Sequence, residues 1–121
     1  MTIRRNRALR GAIVGFGNVA VHGHLPAWKA DRHFSILAVC DPDEARLALA
    51  SELLPGARRY TDLAAMLDAE RVDFVDVATP PATHAEIIAE AVGRHVNVLC
   101  EKPLATRMED CSRIRSAASA G

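Results

Sequence analysis

The sequence predicts an α/β fold in which a doubly wound, parallel sheet carries helices on both faces. Two observations favour this class. Apolar runs of four to six residues alternate with longer stretches of helical period, which is the pattern of strand–helix–strand units. The chain has 121 residues, which suits one domain, and half of them are hydrophobic, which is enough for a packed core. We therefore predict five strands in the order 3-2-1-4-5.

The first two strand–helix pairs are well marked. Residues 12–16 form a short apolar run beside glycines, which is typical of a buried strand, and a helix over 19–30 follows. Pro26 lies within that helix and should kink it. The second strand, 36–40, is continuously apolar, and the helix after it, 43–54, ends at a Pro-Gly pair.

The middle of the chain carries a weaker third pair and a clear fourth strand. A short strand over 57–60 precedes a helix over 62–67, which Thr61 or Asp62 would cap. Residues 73–78 have the β-branched content of a strand, and the sequence Thr-Pro-Pro ends it.

The last third completes the alternation. Thr83 and Glu86 have the spacing of a capping box, so we predict a helix that begins at Thr83 and runs to residue 92. A fifth strand over 96–100 and a last helix over 107–120 follow. The outer edge of the fifth strand has no predicted neighbour, so we expect self-association there, as a homodimer.

Composition excludes several classes of protein. Fifteen basic residues balance fifteen acidic ones, so the basic surface of a nucleic-acid-binding protein is not expected. Three cysteines without C-x-x-C spacing indicate neither a disulfide framework nor a zinc site, and they suit a reducing compartment. No apolar run approaches the roughly 18–20 residues of a membrane span. We predict a cytoplasmic protein with no metal, membrane or nucleic-acid partner.

The most specific local signal is a G-x-G-x-x-A motif between the first strand and the first helix. There the glycines permit a tight turn and the approach of a pyrophosphate, and the small last residue permits close helix packing. The alternative is a purely structural turn. The candidate dinucleotide-binding residues are Gly15, Phe16, Gly17, Asn18 and Val19, followed by Ala20.

An acidic residue completes this pattern at the end of the second strand. The Asp41 carboxylate would accept hydrogen bonds from the adenosine ribose hydroxyls, or it would cap the next helix instead. Asp43 lies close by and no arginine follows directly, so a 2′-phosphate would meet two negative charges. This favours NAD over NADP as cofactor.

Two further strand ends point to the same edge of the sheet. Thr79 and Pro80 follow the fourth strand with His84 close behind, either as a stiff wall beside a nicotinamide ring or as a plain turn. Glu101 and Lys102 follow the fifth strand. A lysine in a cleft donates hydrogen bonds and transfers protons, although one at a strand end is more often a solvated surface charge. His22 and His24 do not share a helix face for a metal, and His24 suits a loop or the cofactor's edge.

Taken together, these motifs resemble the N-terminal half of the family of glucose–fructose oxidoreductase, inositol dehydrogenase and rhizopine-catabolism proteins (Gfo/Idh/MocA). The resemblance covers the chain from about Arg10 onward. One departure is Pro81, where family members often carry asparagine. The motifs that carry the resemblance are Gly15 to Ala20, His24-Leu25-Pro26-Ala27, Cys40-Asp41, Asp76 to Pro81 with His84, and Glu101-Lys102-Pro103.

The resemblance implies a nicotinamide-dependent oxidoreductase that acts on sugars, cyclitols or related hydroxy compounds. It implies that Lys102 contacts the nicotinamide ribose and assists proton transfer, and that Glu101 and Pro103 shape its loop, with a cis Lys102–Pro103 bond. It also implies that Thr79, Pro80 and His84 line the cofactor.

The resemblance implies a dinucleotide-binding domain followed by an α/β domain that holds most of the substrate pocket. Residues 1–121 end before the sixth strand of the first domain, so we expect them to bind cofactor without turnover, and to meet a polyol or sugar only with the second domain. Two alternatives remain open: a stand-alone regulatory dinucleotide-binding module, and a coenzyme A-binding domain. The latter leaves Asp41 and Glu101-Lys102 unexplained.

Overall fold

The computed structural model of the protein describes residues 7–102 and 105–120. Helix and strand alternate throughout this part of the chain. A π-helix, Val19–His24, leads into α1, and a 3₁₀ helix, Pro81–Thr83, leads into α4. The strands are β1 Leu9–Val14, β2 Phe34–Cys40, β3 Arg58–Tyr60, β4 Phe74–Val77 and β5 Asn97–Cys100. The α-helices are α1 Leu25–Ala30, α2 Glu44–Leu53, α3 Leu63–Ala69, α4 His84–Val92 and α5 Met108–Ala120.

The five strands form one sheet in the order β3-β2-β1-β4-β5, which confirms the predicted topology. All four pairings are parallel. Because the strands run the same way, their carboxyl ends meet at one edge, where this architecture binds ligands. Within the described residues, no strand pairs with the outer side of β5.

Both faces of the sheet are covered by helices, as predicted. On one face, Ala12 and Val14 of β1 pack with Val75 and Val77 of β4 against α3 and α4. On the other face, Ile13, Val39, Phe16 and residues of the π-helix, α1 and α2 form a second core. This arrangement follows from the period of two along each strand, which sends successive side chains to opposite faces.

The limits of β1 differ from those predicted. The strand begins at Leu9, whose N–H donates to the His33 carbonyl oxygen over 2.8 Å. It ends at Val14 rather than at Phe16, because Gly15 adopts a φ of 91° and turns the chain away from extended backbone. The start was missed because the charged and polar residues around it do not resemble a buried strand.

The first predicted helix is two helices of different pitch. The N–H of Leu25 donates to the carbonyl oxygen of Ala20, a five-residue spacing that makes the first part a π-helix. Pro26 lies in the first turn of α1, where its missing N–H sacrifices no intrahelical bond. The irregularity therefore lies in the turn directly before the proline.

Of the predicted helix caps, the one at α3 forms and the one at Thr83 does not. Asp62, one of the two candidates for α3, accepts from the Ala65 N–H over 3.1 Å. The cap of α2 is Asp43, which accepts from the Ala45 N–H, and not Asp41. The capping box at Thr83 is wrong, because the 3₁₀ helix before α4 already holds Thr83 in a helical conformation. Its hydroxyl oxygen instead lies 2.7 Å from the Pro80 carbonyl oxygen.

Candidate functional site

A cavity of about 440 Å³ opens at the carboxyl edge of the sheet. It lies between the exits of β1, β2 and β4, and its walls are mostly apolar. Four of the residues singled out from the sequence line it: Gly15, Asp41, Thr79 and Pro80. A wider depression of about 700 Å³ between α2 and β3 contains none of them, so the cavity at the sheet edge is the candidate site.

Gly15 brings two strand exits into close contact. A Cβ atom at this position would lie 2.7 Å from Thr79 Cγ2 and 3.0 Å from the backbone of Ala78, in addition to the strain of its φ of 91°. No other residue type fits this turn without moving the β4 exit. The glycine therefore permits the tight turn that the motif predicted, and it lines the cavity.

The rest of the glycine motif is divided between core and surface. Phe16 is buried in the second core, so its side chain contacts no ligand in this arrangement. Gly17 is half-buried, while Asn18 and Val19 are exposed. The open surface of the loop is thus formed by Gly17, Asn18 and Val19, and Phe16 serves as the hydrophobic anchor of the loop.

Asp41 is 2% exposed and fastens the end of β2 to the glycine loop. Its Oδ2 accepts from the Phe16 N–H over 2.8 Å, and its Oδ1 accepts from the Asp43 N–H over 2.9 Å. Each carboxylate oxygen has two lone pairs, so both retain the capacity to accept a ribose hydroxyl. Asp43 is the cap of α2. Asp41 is therefore not the cap, and it is the carboxylate that lines the cavity.

Arg46 is a site residue that the sequence analysis did not single out. Its guanidinium lies 3.7 Å from Asp41 Oδ2 and 3.9 Å from Asp43 Oδ2, and it lines the cavity. A methyl group at Gly17 would approach it to 3.7 Å. The two negative charges therefore have a cation beside them, which weakens the charge argument against NADP. The missed signal was a basic residue in the first turn of the helix that follows the acid.

His84 contacts the backbone of the turn after β4 and stabilises it. Its side chain is completely buried, and its Nε2 lies 2.8 Å from the Thr79 carbonyl oxygen. Thr79 and Pro80 face the cavity, whereas His84 holds their backbone in place. Of the three residues expected to line the cofactor, two do line the cavity and the third supports it.

A cluster of polar side chains ties the exits of β4 and β5 together. His24 Nδ1 lies 2.8 Å from Asp76 Oδ2, and His24 Nε2 lies 2.8 Å from Glu101 Oε2. Trp28 Nε1 donates to Asp76 Oδ2 over 2.7 Å. The sequence analysis gave Asp76 no role beyond the family motif and did not single out Trp28, although an aspartate inside an apolar strand signals a buried partner. Lys102 follows Glu101 directly and is exposed.

The electrostatics of this cluster favour a protonated imidazole. Burial lowers the pKa of His24, but the charge and hydrogen bond of Asp76, together with those of Glu101, outweigh it and raise the pKa above 6.5. At the neighbouring Cys100, burial instead raises the pKa of the thiol, to about 11, and the charges of Glu101 and Asp76 add to the effect. Pro103 and its peptide bond to Lys102 lie outside the described residues.

Comparison with known proteins identifies the family of this chain. The sequence model described as "Oxidoreductase family, NAD-binding Rossmann fold" (GFO_IDH_MocA) matches residues 9–120. The chain belongs to the Gfo/Idh/MocA family. The chain is 38% identical over 109 residues to D-apiose dehydrogenase from Paraburkholderia graminis, which covers 90% of this chain and 28% of that protein.

Solved members of the Gfo/Idh/MocA family superpose closely on the described residues. The WlbA dehydrogenase from Chromobacterium violaceum, in complex with NADH and UDP-GlcNAcA, is 35% identical with a TM-score of 0.90, over 97% of this chain and 34% of that one. A mutant 3-ketoreductase from Actinomadura kijaniata, in complex with TDP-benzene and NADP, is 28% identical with a TM-score of 0.84, over 94% and 35%. The chain thus spans about a third of the length of these relatives.

Neither a membrane segment nor a metal cluster occurs in the part of the chain that the structure describes. No helix among residues 7–102 and 105–120 combines the length and apolar character that a membrane crossing requires. Over the same residues, no three histidine, cysteine or carboxylate side chains are grouped as metal ligands.

Proposed function

We propose that this chain is the NAD-binding part of an oxidoreductase that transfers a hydride between nicotinamide and a sugar, cyclitol or related hydroxy compound. One observation carries the proposal: in a Gfo/Idh/MocA chain, the glycine loop, the acid after β2 and the stiff turn after β4 converge on one cavity. The complexes of WlbA with NADH and of the 3-ketoreductase with NADP support a nicotinamide cofactor.

The residues present fit such a cofactor. Gly15 permits the tight turn and the close approach of the β4 exit, and Gly17, Asn18 and Val19 form the open part of the loop that would meet the pyrophosphate. Asp41 would accept hydrogen bonds from the adenosine ribose hydroxyls with its remaining lone pairs. Thr79 and Pro80 would form the wall beside the nicotinamide ring. When bound, the nicotinamide would supply the hydride chemistry.

Lys102 is the proposed proton-transfer residue. It lies at the carboxyl end of β5, on the same sheet edge as the cavity, and its exposed ammonium is available to a ribose or substrate hydroxyl. Glu101 would keep the start of its loop against the sheet through the bond to His24. A lysine placed there would take up or release the hydroxyl proton while hydride moves to or from the carbinol carbon.

For cofactor preference, we propose NAD over NADP. Asp41 and Asp43 present two carboxylates at the position of a 2′-phosphate, against the single guanidinium of Arg46. The relatives do not decide the matter, since their complexes include both NADH and NADP. The margin should be modest because Arg46 offsets part of the repulsion.

Calorimetric titration of the chain with NADH, NADPH and coenzyme A tests the proposal. We expect NADH to bind most tightly, NADPH more weakly and coenzyme A not at all. We also expect no reduction of NAD with inositol or sugars by these residues alone, because they span 28% of the D-apiose dehydrogenase they match. Binding of coenzyme A without NADH, or turnover of a polyol, would overturn the corresponding part of the proposal.

A further inference from the structure

His24 stands between two carboxylates that come from different strands. Its Nδ1 is 2.8 Å from Asp76 Oδ2 on β4, and its Nε2 is 2.8 Å from Glu101 Oε2 just after β5. The three side chains differ in access to water: Asp76 is completely buried, His24 is 20% exposed and Glu101 is 36% exposed. The imidazole is therefore the only direct link between a buried anion and the residue that precedes Lys102 in this cluster.

The geometry requires a particular protonation state. Ionised carboxylates only accept hydrogen bonds, and a neutral imidazole has a single N–H to donate. Two bonds of 2.8 Å, one at each ring nitrogen, are therefore satisfied together only by the imidazolium form. Trp28 Nε1 gives Asp76 a second donor, so the buried carboxylate remains hydrogen-bonded whatever the state of His24.

The local backbone is adapted to this placement. His24 is the last residue of the π-helix, and the bond from the Leu25 N–H to the Ala20 carbonyl oxygen spans five residues instead of four. Single π-helical turns inside α-helices are uncommon and frequent at functional sites. Here the wide turn ends at the residue that contacts both carboxylates.

We propose that His24 is a positioning residue: a protonated clamp that holds Glu101 against the sheet edge and thereby orients Lys102 for the cofactor, and that releases Glu101 when it loses its proton. On deprotonation the remaining N–H stays with Asp76, because that carboxylate has no access to water. Glu101, which is partly exposed, exchanges the imidazole for water. What Lys102 does at the cofactor rests on the function proposed above.

Two carboxylates and one thiol surround His24, and His24 is the group that we expect to titrate. Asp76 faces it from β4, and Glu101 and Cys100 lie at the end of β5. The Cys100 thiol, with its pKa raised by burial to about 11, stays neutral over the range in question. His22 is exposed two residues earlier and serves as a matched control.

The test combines NMR of the uncomplexed chain with NADH titrations between pH 6 and 9, a range that brackets the usual histidine pKa of about 6.5 and the higher value expected. We expect His24 to titrate above the usual histidine value, and the backbone amides of Glu101 and Lys102 to shift with His24. NADH affinity should fall as His24 deprotonates. His24→Gln should bind NADH about tenfold more weakly, the size of one lost charge-assisted hydrogen bond, with no such pH step. His22→Gln should keep the wild-type profile.

Glu101→Gln is the second variant, since its partly exposed side chain tolerates exchange. It should lower the pKa of His24 and remove the pH step while leaving the fold intact. The proposal is overturned if the pKa of His24 is not raised above the usual histidine value, if the Lys102 amide does not respond to its titration, or if His24→Gln retains the wild-type pH step. Failure of the wild-type chain to bind NADH would instead overturn the proposed function, while the NMR titration would still decide the clamp.

Discussion

The Asp41 carboxylate accepts a hydrogen bond from the backbone N–H of Phe16 across 2.8 Å, and this bond joins the end of β2 to the glycine loop after β1. The contact is buried, since the two residues are 2% and 1% exposed. One carboxylate thus shapes the loop that would hold a pyrophosphate and offers its remaining lone pairs to a ribose. Affinity and stability are coupled at this position.

Asp41→Ala should therefore weaken both the binding of NADH and the stability of the fold. The Phe16 N–H would be left buried without an acceptor, which costs about 1–3 kcal/mol of unfolding free energy. NADH affinity should fall as well, and the preference for NADH over NADPH should be lost. Urea unfolding and calorimetric titration measure the two effects. Asp43→Ala is the comparison: it removes a helix cap, costs about 1 kcal/mol, and should reduce the preference only in part, because Asp41 remains. An unchanged urea midpoint for Asp41→Ala would contradict this reading.

Arg46→Ala should change cofactor selectivity more than stability. The exposed guanidinium lies within 4 Å of both Asp41 and Asp43, so its loss leaves their charge unopposed. We expect NADPH affinity to fall several-fold, roughly 3–10, with a smaller change for NADH. Arg115→Ala, at an exposed position of α5, should alter neither. Equal losses for both cofactors would assign Arg46 a general role in binding instead.

Gly15→Ala and Gly23→Ala should have opposite effects. At Gly15 the added methyl meets Thr79 Cγ2 at 2.7 Å and adopts a φ of 91°, so we expect at least ~1–3 kcal/mol of destabilisation. At Gly23 no atom lies within 4 Å of the added methyl, and alanine should leave stability unchanged or raise it by up to ~1 kcal/mol. Thermal unfolding of the two variants checks this. Equal unfolding temperatures would show that the chain after β4 moves aside at no cost in stability.

Glu70 should make the protein acid-sensitive. Hydrogen bonds from Arg58 hold the pKa of this buried carboxyl below 4.5 in spite of its burial, and Tyr60 adds a further bond. A lowered pKa in the folded state means that the stabilisation is complete above the unfolded-state value of about 4.5, and is lost as pH falls through the folded value.

Glu70→Gln should accordingly flatten the loss of stability below pH 4.5 that the wild type shows, while lowering stability at pH 7 by about 1–3 kcal/mol. Urea midpoints at several pH values give the comparison. Glu86→Gln, at an exposed position of α4, should reproduce the wild-type pH dependence. A Glu70→Gln profile parallel to that of the wild type would contradict the assignment.

Self-association at β5 stays a prediction. Leu99 is 52% exposed on this edge strand, and the described residues supply no strand beside it. We expect concentration-dependent dimers in sedimentation velocity experiments, and Leu99→Lys should shift them to monomers. Leu49→Lys, on the exposed side of α2 where Leu49 is 38% accessible, should not. A wild-type chain that is monomeric at high concentration would refute the prediction.

Much of the fold was readable from local patterns. A continuous apolar run identified β2, because strands buried on both faces tolerate few polar residues, and β-branched content identified β4. The sequence predicted a cap at Thr61 or Asp62, and Asp62 forms it. The patterns failed where a neighbour decided the outcome: at Thr83, whose hydroxyl turned to Pro80, and at the π-helix, which no propensity signals.

The sequence by itself determined the glycine turn and the acid after β2, because each depends on residues close together in the chain. It also predicted the order of strands, because a strict alternation of strands and helices permits few topologies. Only the tertiary structure decided what meets at the sheet edge. Asp76 and Glu101 lie 52 and 77 residues from His24, and their hydrogen bonds exist only because β4 and β5 are paired beside the first helix. Arg46 likewise acquired its place beside the glycine loop from the packing of α2. Charges that are distant in sequence and adjacent in space leave no local pattern to read.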